Sequence, residues 1–205
     1  MIGIIDYDAG NLKSVEKALL SLGEEAVVTR DRSELLKADK VILPGVGNFG
    51  DAMGKLKSYG LDEVIRDVVK KGTPFLGICL GLQLLFEESE EAPGVPGLGI
   101  LKGKILRIPE EPGLKIPHIG WNSLMLQNEG RLFQGLEEEP YVYFVHSYYL
   151  KAEDEQIVKG VTEYGTRIQI HASVERDNVF ACQFHPEKSS GTGLKILKNF
   201  AELEG

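Results

Sequence analysis

The 205-residue sequence predicts one α/β domain, residues 1–205, with a mostly parallel central sheet flanked by helices and an antiparallel extension in its second half. Three observations lead there. Short, wholly apolar runs alternate with amphipathic helical patterns in the first half, as in parallel sheets covered on both faces. The second half turns to strand-like runs with little helix between them. No linker, internal repeat or low-complexity tract divides the chain, and its length suits a single domain that buries roughly 70% of its unfolded surface.

The elements follow in order. "IGIID" is a short apolar strand, and "NLKSVEKALLSLG" is a helix with Leu12, Val15, Leu19 and Leu22 at three- and four-residue steps and Gly23 as its stop. "AVVT" and "KVILPG" give the second and third strands. "LDEVIRDVVKKG" is an amphipathic helix with Leu61, Val64, Ile65, Val68 and Val69 on its apolar side, and "PFLGI" is the fourth strand. A helix "LGLQLLFEE" follows, then the loop-like acidic stretch "EESEEAPGVPGLG". "ILKGKILRI", "YVYFVHSYYL", "QIVKGVTEY", "RIQIHASVE" and "VFACQFH" supply the antiparallel extension. "SSGTGLKILKNFAELEG" closes the chain as a helix with Ile196, Phe200 and Leu203 in register.

Composition narrows the class. A net charge of −8 argues against a general nucleic-acid binder, which needs a concentrated basic surface. Two cysteines are too few for a disulfide scaffold and point to a reducing compartment. The N-terminus lacks a basic leader, and no apolar stretch approaches the roughly 20 residues of a membrane span. The expectation is a soluble, cytoplasmic protein without membrane contact.

"GICLGLQLLF" carries the chemistry. Gly77-Ile78-Cys79-Leu80-Gly81 has the G-x-nucleophile-x-G spacing of a nucleophile elbow, between a strand and a helix assigned independently. Glycines flank such a nucleophile because side chains there would collide with neighbouring backbone. A thiol at a helix N-terminus also ionises more readily than a free one. The alternative is a small buried hydrophobe, which is the reading for Cys182. A nucleophilic thiol needs a base and an orienting group. His185 ends the strand "VFACQFH", and after Pro186 the Glu187 side chain can fold back onto it. An oxyanion hole is the third requirement. "LPGVGNFG" follows the third strand with three glycines in six positions, and its N–H groups with that of Leu80 suit the task. It has neither a P-loop ending nor G-x-G-x-x-G spacing, so it reads as an oxyanion loop or a plain turn, not a phosphate loop. The histidines show no metal spacing, so no metal and no cofactor is expected.

"GICLGLQLLFEESEE", "LPGVGNF" and "FHPEKS" together resemble the class I (triad) glutamine amidotransferases, over nearly the whole chain. "IDYDAGNLKSV", "PHIGWN" and "YFVHSYY" resemble, within them, the glutaminase subunits of imidazole glycerol phosphate synthases. Two positions depart from the pattern: Leu82 stands for a methionine, which conserves volume, and Asp8 for a glycine. The resemblance implies Cys79 as nucleophile, His185 as general base and acid, and Glu187 as the orienting carboxylate. It implies Gly47 and Leu80 at the oxyanion hole, and Gln83, Glu91, His146, Ser147 and Tyr148 around glutamine. It implies a (β/α)8-barrel cyclase as partner in a heterodimer, faced by Asn11, Trp121 and Lys188. Because ammonia must not escape as ammonium, the oxyanion loop is the candidate for an element that switches when the partner is occupied.

Each polar residue has a plainer reading. Gln83 could be a polar residue on the helix surface, Glu91 part of a solvated acidic loop, the Tyr143–Tyr149 aromatics strand packing, and Trp121 core. Three rival functions stand beside the main one: an amidotransferase of another pathway, a cysteine hydrolase acting without a partner, and a non-catalytic docking subunit.

Overall fold

The computed structural model describes residues 1–166 and 168–204. Its elements are β1 Ile2–Ile5, α1 Leu12–Ser21, β2 Ala26–Thr29, α2 Arg32–Lys37, β3 Lys40–Leu43, α3 Phe49–Ser58, α4 Leu61–Lys70, β4 Phe75–Ile78 and α5 Leu80–Leu84. The second half adds β5 Glu88–Ser89, β6 Gly103–Arg107, β7 His118–Ser123, β8 Met125–Leu126, β9 Tyr141–His146, β10 Tyr148–Ala152, β11 Val158–Tyr164, β12 Ile168–Arg176, β13 Val179–Cys182 and α6 Ser190–Ala201. The main sheet has eight strands in the order β2-β1-β3-β4-β13-β12-β11-β8. The first five run parallel, and β12, β11 and β8 extend it antiparallel.

Alternation along the strands loads both faces of this sheet. Ile5, Val41, Leu43 and Phe75 pack on one side against α3 and α4, through Phe49, Met53, Leu56, Val64 and Val68. Ile2, Ile4, Ile42, Leu76 and Ile78 pack on the other against Val15 and Leu19 of α1 and Ile196 and Phe200 of α6. Full burial of such side chains is worth about 1.5–3 kcal/mol each. That is why fully apolar four-residue runs become central strands while the helices show one apolar stripe.

Differences from the expectation have local causes. α2 and α3 are additional helices, each opened by a side-chain cap: Asp31 accepts from the Glu34 N–H, and Asn48 from the Asp51 N–H. The elbow helix α5 is only five residues long. "YVYFVHSYYL" is two strands: β9 pairs with β7 in a separate ribbon, and β10 pairs with β6 in a small sheet with β5. These pieces cover the main sheet instead of extending it. Arg167, at the start of "RIQIHASVE", lies outside the described residues. Leu203 packs against the core just past the end of α6. Asp8 sits at φ 62, the left-handed region that favours glycine, where its carboxylate bonds Arg30 and the Tyr59 hydroxyl.

β4 lies between β3 and β13. The loop after β3, the elbow after β4 and the turn after β13 therefore open side by side at the C-terminal edge. There the strand order also reverses, between β1 and β3, the place where open α/β sheets form ligand crevices.

Candidate active site

The elbow is built by close backbone approach. A Cβ on Gly81 would overlap the Leu43 carbonyl oxygen, and one on Gly77 would lie 2.7 Å from the Gly81 carbonyl oxygen. Only glycines let β4 turn this sharply into α5. Cys79 between them is held at φ 54, ψ −108, a conformation that costs a non-glycine residue about 1–3 kcal/mol. Its backbone is pinned by the Cys79 N–H donating to the Cys182 carbonyl at 2.7 Å. Cys79 is 6% exposed, and its opening is toward a cavity.

That opening is a cavity of about 270 Å³ lined by Val46, Gly47, Cys79, Leu80, Gln83, Glu91, Val145, His146, Ser147 and Tyr148. All seven residues expected around the oxyanion and the glutamine thus line one hole with the thiol. Gln83 is buried, not a polar residue on the helix surface: its Nε2 donates to the Tyr148 carbonyl and to Gln183 Oε1, both at 3.1 Å. Glu91 is half-buried, with Oε2 accepting the Phe49 N–H at 2.8 Å at the start of α3. The N-terminal end of a helix favours such an anion.

His185 is buried beside the thiol, and its Nδ1 bonds Glu187 Oε1 at 2.7 Å. Its Nε2 has no hydrogen-bond partner among the described residues, nor has Glu187 Oε2. Burial by itself would lower the His185 pKa, but the nearby Cys79 side chain and the Glu187 carboxylate outweigh it and raise the value to about 9. The turn carrying the pair is fixed by the His185 N–H donating to the Tyr143 carbonyl at 2.9 Å and by the Ser189 hydroxyl donating to the His185 carbonyl at 2.6 Å. Cys182 is fully buried, and burial pushes its thiol pKa well up. It remains a protonated core side chain, as expected from the sequence.

The residues expected to face a partner surround this pair. Asn11 Nδ2 donates to Glu187 Oε1, so it also holds the carboxylate. Lys188 is exposed on the next residue of the turn. Trp121 is 52% exposed and not core, edge-on to Tyr143, and shares the outer face of the β7–β9 ribbon with exposed Ile119 and Tyr141.

Sequence reasoning missed two polar contributors. Gln183 Nε2 lies 3.7 Å from the Cys79 sulfur, within sulfur hydrogen-bond range. The period-two step from Gln183 to His185 was a usable signal, since alternate residues of an extended segment share a side. Tyr7 donates its hydroxyl to the Pro44 carbonyl at 2.9 Å, at the root of the glycine-rich loop after β3. Nothing local marks it out from an ordinary core tyrosine. Among the described residues no cluster of three or more His, Cys, Asp or Glu suits a metal ion, and no helix is long and apolar enough to cross a membrane.

A strained thiol at the end of a parallel strand, next to a buried imidazole–carboxylate pair and a polar cavity, is the architecture of an α/β protein made for thiol chemistry on a small polar molecule. Residues 3–203 match the profile of the family "Glutamine amidotransferase class-I", and the chain belongs to that family. Imidazole glycerol phosphate synthase subunit HisH of Caldanaerobacter subterraneus subsp. tengcongensis is 53% identical over 203 residues, covering 99% of this chain and 98% of its own. The subunit of the same name from Methanocaldococcus jannaschii is 51% identical over 203 residues, covering 99% and 100%. A crystal structure of a glutamine amidotransferase shares the fold with a TM-score of 0.74 at 22% identity over 98% of both chains. PurLQS of Thermotoga maritima does so with a TM-score of 0.73 at 21% identity, over 98% of this chain and 96% of that one.

Proposed function

We propose that the chain is the glutaminase subunit of a cytoplasmic imidazole glycerol phosphate synthase, and that it hydrolyses glutamine and hands ammonia to a (β/α)8-barrel cyclase. The observation that carries this is the cavity in which Cys79 meets Gln83, Glu91 and the 145–148 segment. A zwitterion needs an anion for its ammonium and donors for its carboxylate, and Glu91 and the His146–Tyr148 backbone supply them. The names of the relatives at 53% and 51% identity supply the pathway.

The chemistry follows from the residues. Sγ of Cys79 attacks the side-chain carbonyl carbon of glutamine and forms a tetrahedral oxyanion. His185 Nε2–H then protonates the amide nitrogen, the C–N bond breaks, and ammonia leaves behind a glutamyl thioester. Water loses a proton to the now neutral His185 as it attacks that thioester. The collapse breaks the C–S bond and returns Cys79 beside a His185 that has regained its proton, and the new carboxyl group gives its remaining proton to solvent as glutamate leaves. Glu187 keeps the imidazole tautomer and steadies its charge. The unpartnered Nε2 of the resting site is the nitrogen this sequence of steps requires.

The oxyanion hole is incomplete at rest. The Leu80 N–H donates to the Gly45 carbonyl at 3.3 Å, so one of its two expected donors is occupied. Turning the Gly45–Gly47 segment away frees it, and Gly47 at φ +110 has the conformational freedom to follow. A partner that docks over Asn11, Trp121 and Lys188 and favours that turn would hold hydrolysis back until ammonia has an acceptor. One oxyanion donor is worth roughly 10²–10³ in rate, which sets the scale of stimulation expected. The test is glutamine hydrolysis with and without the cyclase subunit and its nucleotide ligand, beside Cys79→Ala. Stimulation lost in the variant is expected. Turnover that needs Cys79 but ignores the cyclase sinks the pathway assignment, and turnover surviving Cys79→Ala sinks the mechanism.

A further inference from the structure

Behind the cavity, two buried histidines meet whose side chains take no part in these steps. His118 on β7 and His146 on β9 are directly opposed across the ribbon, 3% and 6% exposed. His118 Nδ1 lies 3.0 Å from His146 Nε2. His146 Nδ1 lies 2.8 Å from the Tyr148 carbonyl oxygen.

A carbonyl has no proton to give, so His146 Nδ1 is the donor there. In a neutral ring its Nε2 is then the acceptor, and His118 Nδ1 must donate to it. His118 Nε2 is left as an acceptor, and the Asn122 amide Nδ2 approaches it at 3.5 Å while donating to the Glu163 carbonyl at 2.9 Å. Every proton therefore points the same way, from Asn122 through His118 and His146 to Tyr148. That carbonyl also accepts from Gln83. The His118 ring is stacked between Tyr164 and Phe144, with centroids at 3.9 and 4.7 Å, which fixes its plane. Burial lowers both imidazole pKa values, to about 4 for His118 and about 3 for His146, so two neutral rings persist at neutral pH.

We propose that His118 is a positioning residue for the substrate's carboxylate end. It touches no cavity atom itself. Acting through His146, it holds the 145–148 segment, four of whose residues line the cavity. The inference rests on the glutaminase reading and adds to it a named residue that sets affinity for glutamine.

Two variants and one measurement on the unaltered chain test it. His118→Phe keeps a ring between Tyr164 and Phe144 and removes the donor to His146, whereas His118→Asn offers an amide donor near the Nδ1 position. With the cyclase present, His118→Phe is expected to raise KM for glutamine about tenfold with kcat within about twofold, and His118→Asn to recover most of the loss. Labelling of Cys79 by a chloromethyl ketone analogue of L-glutamine should slow about tenfold in His118→Phe. Labelling by iodoacetamide, which lacks the amino-acid end, should not change. Equal slowing with both reagents, or a fall in kcat at unchanged KM, overturns the proposal. If neither variant folds, nitrogen-15 shifts of the wild-type imidazoles decide. Both rings neutral with the proton on Nδ1 support the relay, and an Nε2–H or charged His118 at pH 7 overturns it. A wild-type chain that neither hydrolyses glutamine nor prefers its analogue over iodoacetamide overturns the glutaminase reading, and this inference with it. Preference retained in His118→Phe overturns this inference alone.

Discussion

Glu187→Gln removes one charge and almost no shape. Oε1 accepts from His185 Nδ1 at 2.7 Å and from Asn11 Nδ2, whereas Oε2 has no partner and the side chain is fully buried. The glutamine amide must keep its oxygen at the Oε1 position, because the reverse orientation would set its NH2 against two donors. Its NH2 then occupies a site with no acceptor. An unsatisfied buried donor costs about 1–3 kcal/mol of stability. The chemistry loses the difference between a charge-assisted hydrogen bond of about 1.5–3 kcal/mol and a neutral one of about 0.5–1.5 kcal/mol whenever His185 is an imidazolium. That difference, about 1–1.5 kcal/mol, predicts a fall of roughly 5–13-fold in kcat/KM on the alkaline limb, where the resting site gives up the imidazolium proton. The His185 pKa should also drop from about 9, since Glu187 is one of the groups that raise it. The assay is partner-stimulated glutamine hydrolysis from pH 6 to 10, with denaturant unfolding alongside. Asn11→Ala enters as the second arm of a double-mutant cycle and should be non-additive with Glu187→Gln, because both act on Oε1. Wild-type kcat/KM and an unmoved pH profile in Glu187→Gln would refute the orienting role.

Two further outcomes follow from the geometry. Gly81→Ala sets a methyl group against the Leu43 backbone carbonyl, where no side-chain rotation can relieve it, so destabilisation at or beyond the usual 1–3 kcal/mol of overpacking is expected in urea titrations; a variant as stable as the parent would contradict the elbow geometry. Stability should also fall as pH drops from about 6.5 toward 4. His118 and His146 have folded-state pKa values below the unfolded one, so over that range the unfolded chain binds more protons. For His118 alone the loss is on the order of 3 kcal/mol. The other titratable group acting on the pair is His185, which disfavours the charge on His146 further. His118→Phe should flatten this limb of the stability curve, and an unchanged slope would refute the assignment.

What was legible in the sequence was whatever rests on local pattern. Short apolar runs bounded by turn residues suit strands buried on both faces, so β1, β3 and β4 were readable, and the stripes of α1, α4 and α6 were equally plain. The elbow was legible because the spacing of its glycines about Cys79 is a local pattern, although only Gly77 answers to nearby backbone and Gly81 answers to Leu43 of the neighbouring strand. α3 was hidden behind the glycines of "LPGVGNFG", although Asn48 as cap and Phe49, Ala52, Met53 and Leu56 at helical spacing marked it. The split of "YVYFVHSYYL" into two strands of different sheets was not legible. Both halves have strand composition, and the choice of partner, β7 or β6, is tertiary. For the same reason the side-chain roles of Asn11 and His146 were out of reach. Asn11 meets a residue 176 positions away, and His146 meets a histidine whose only sequence mark is its place in "PHIGWN".

The order of strands explains why so few residues carry the site. Three adjacent strands of the parallel sheet bring the glycine-rich loop after β3, the thiol and the imidazole to one edge, so no long excursion of the chain is needed to assemble them. What the sheet cannot supply is orientation, and here that comes from groups outside it. Asn11, at the start of α1, reaches the Glu187 carboxylate, and Ser189, at the start of α6, holds the turn that bears His185. The ribbon supplies the third constraint, since Tyr143 on β9 bonds His185 through its carbonyl and Ser189 through its N–H. Its outer face exposes Trp121 and Ile119, while its inner face carries His118 and His146. A partner seated on the outer face would therefore bear on the same two strands that brace His185 and the cavity beside Cys79. Displacement of those strands by a few tenths of an ångström would be felt at both, because close-packed interiors transmit strain instead of absorbing it.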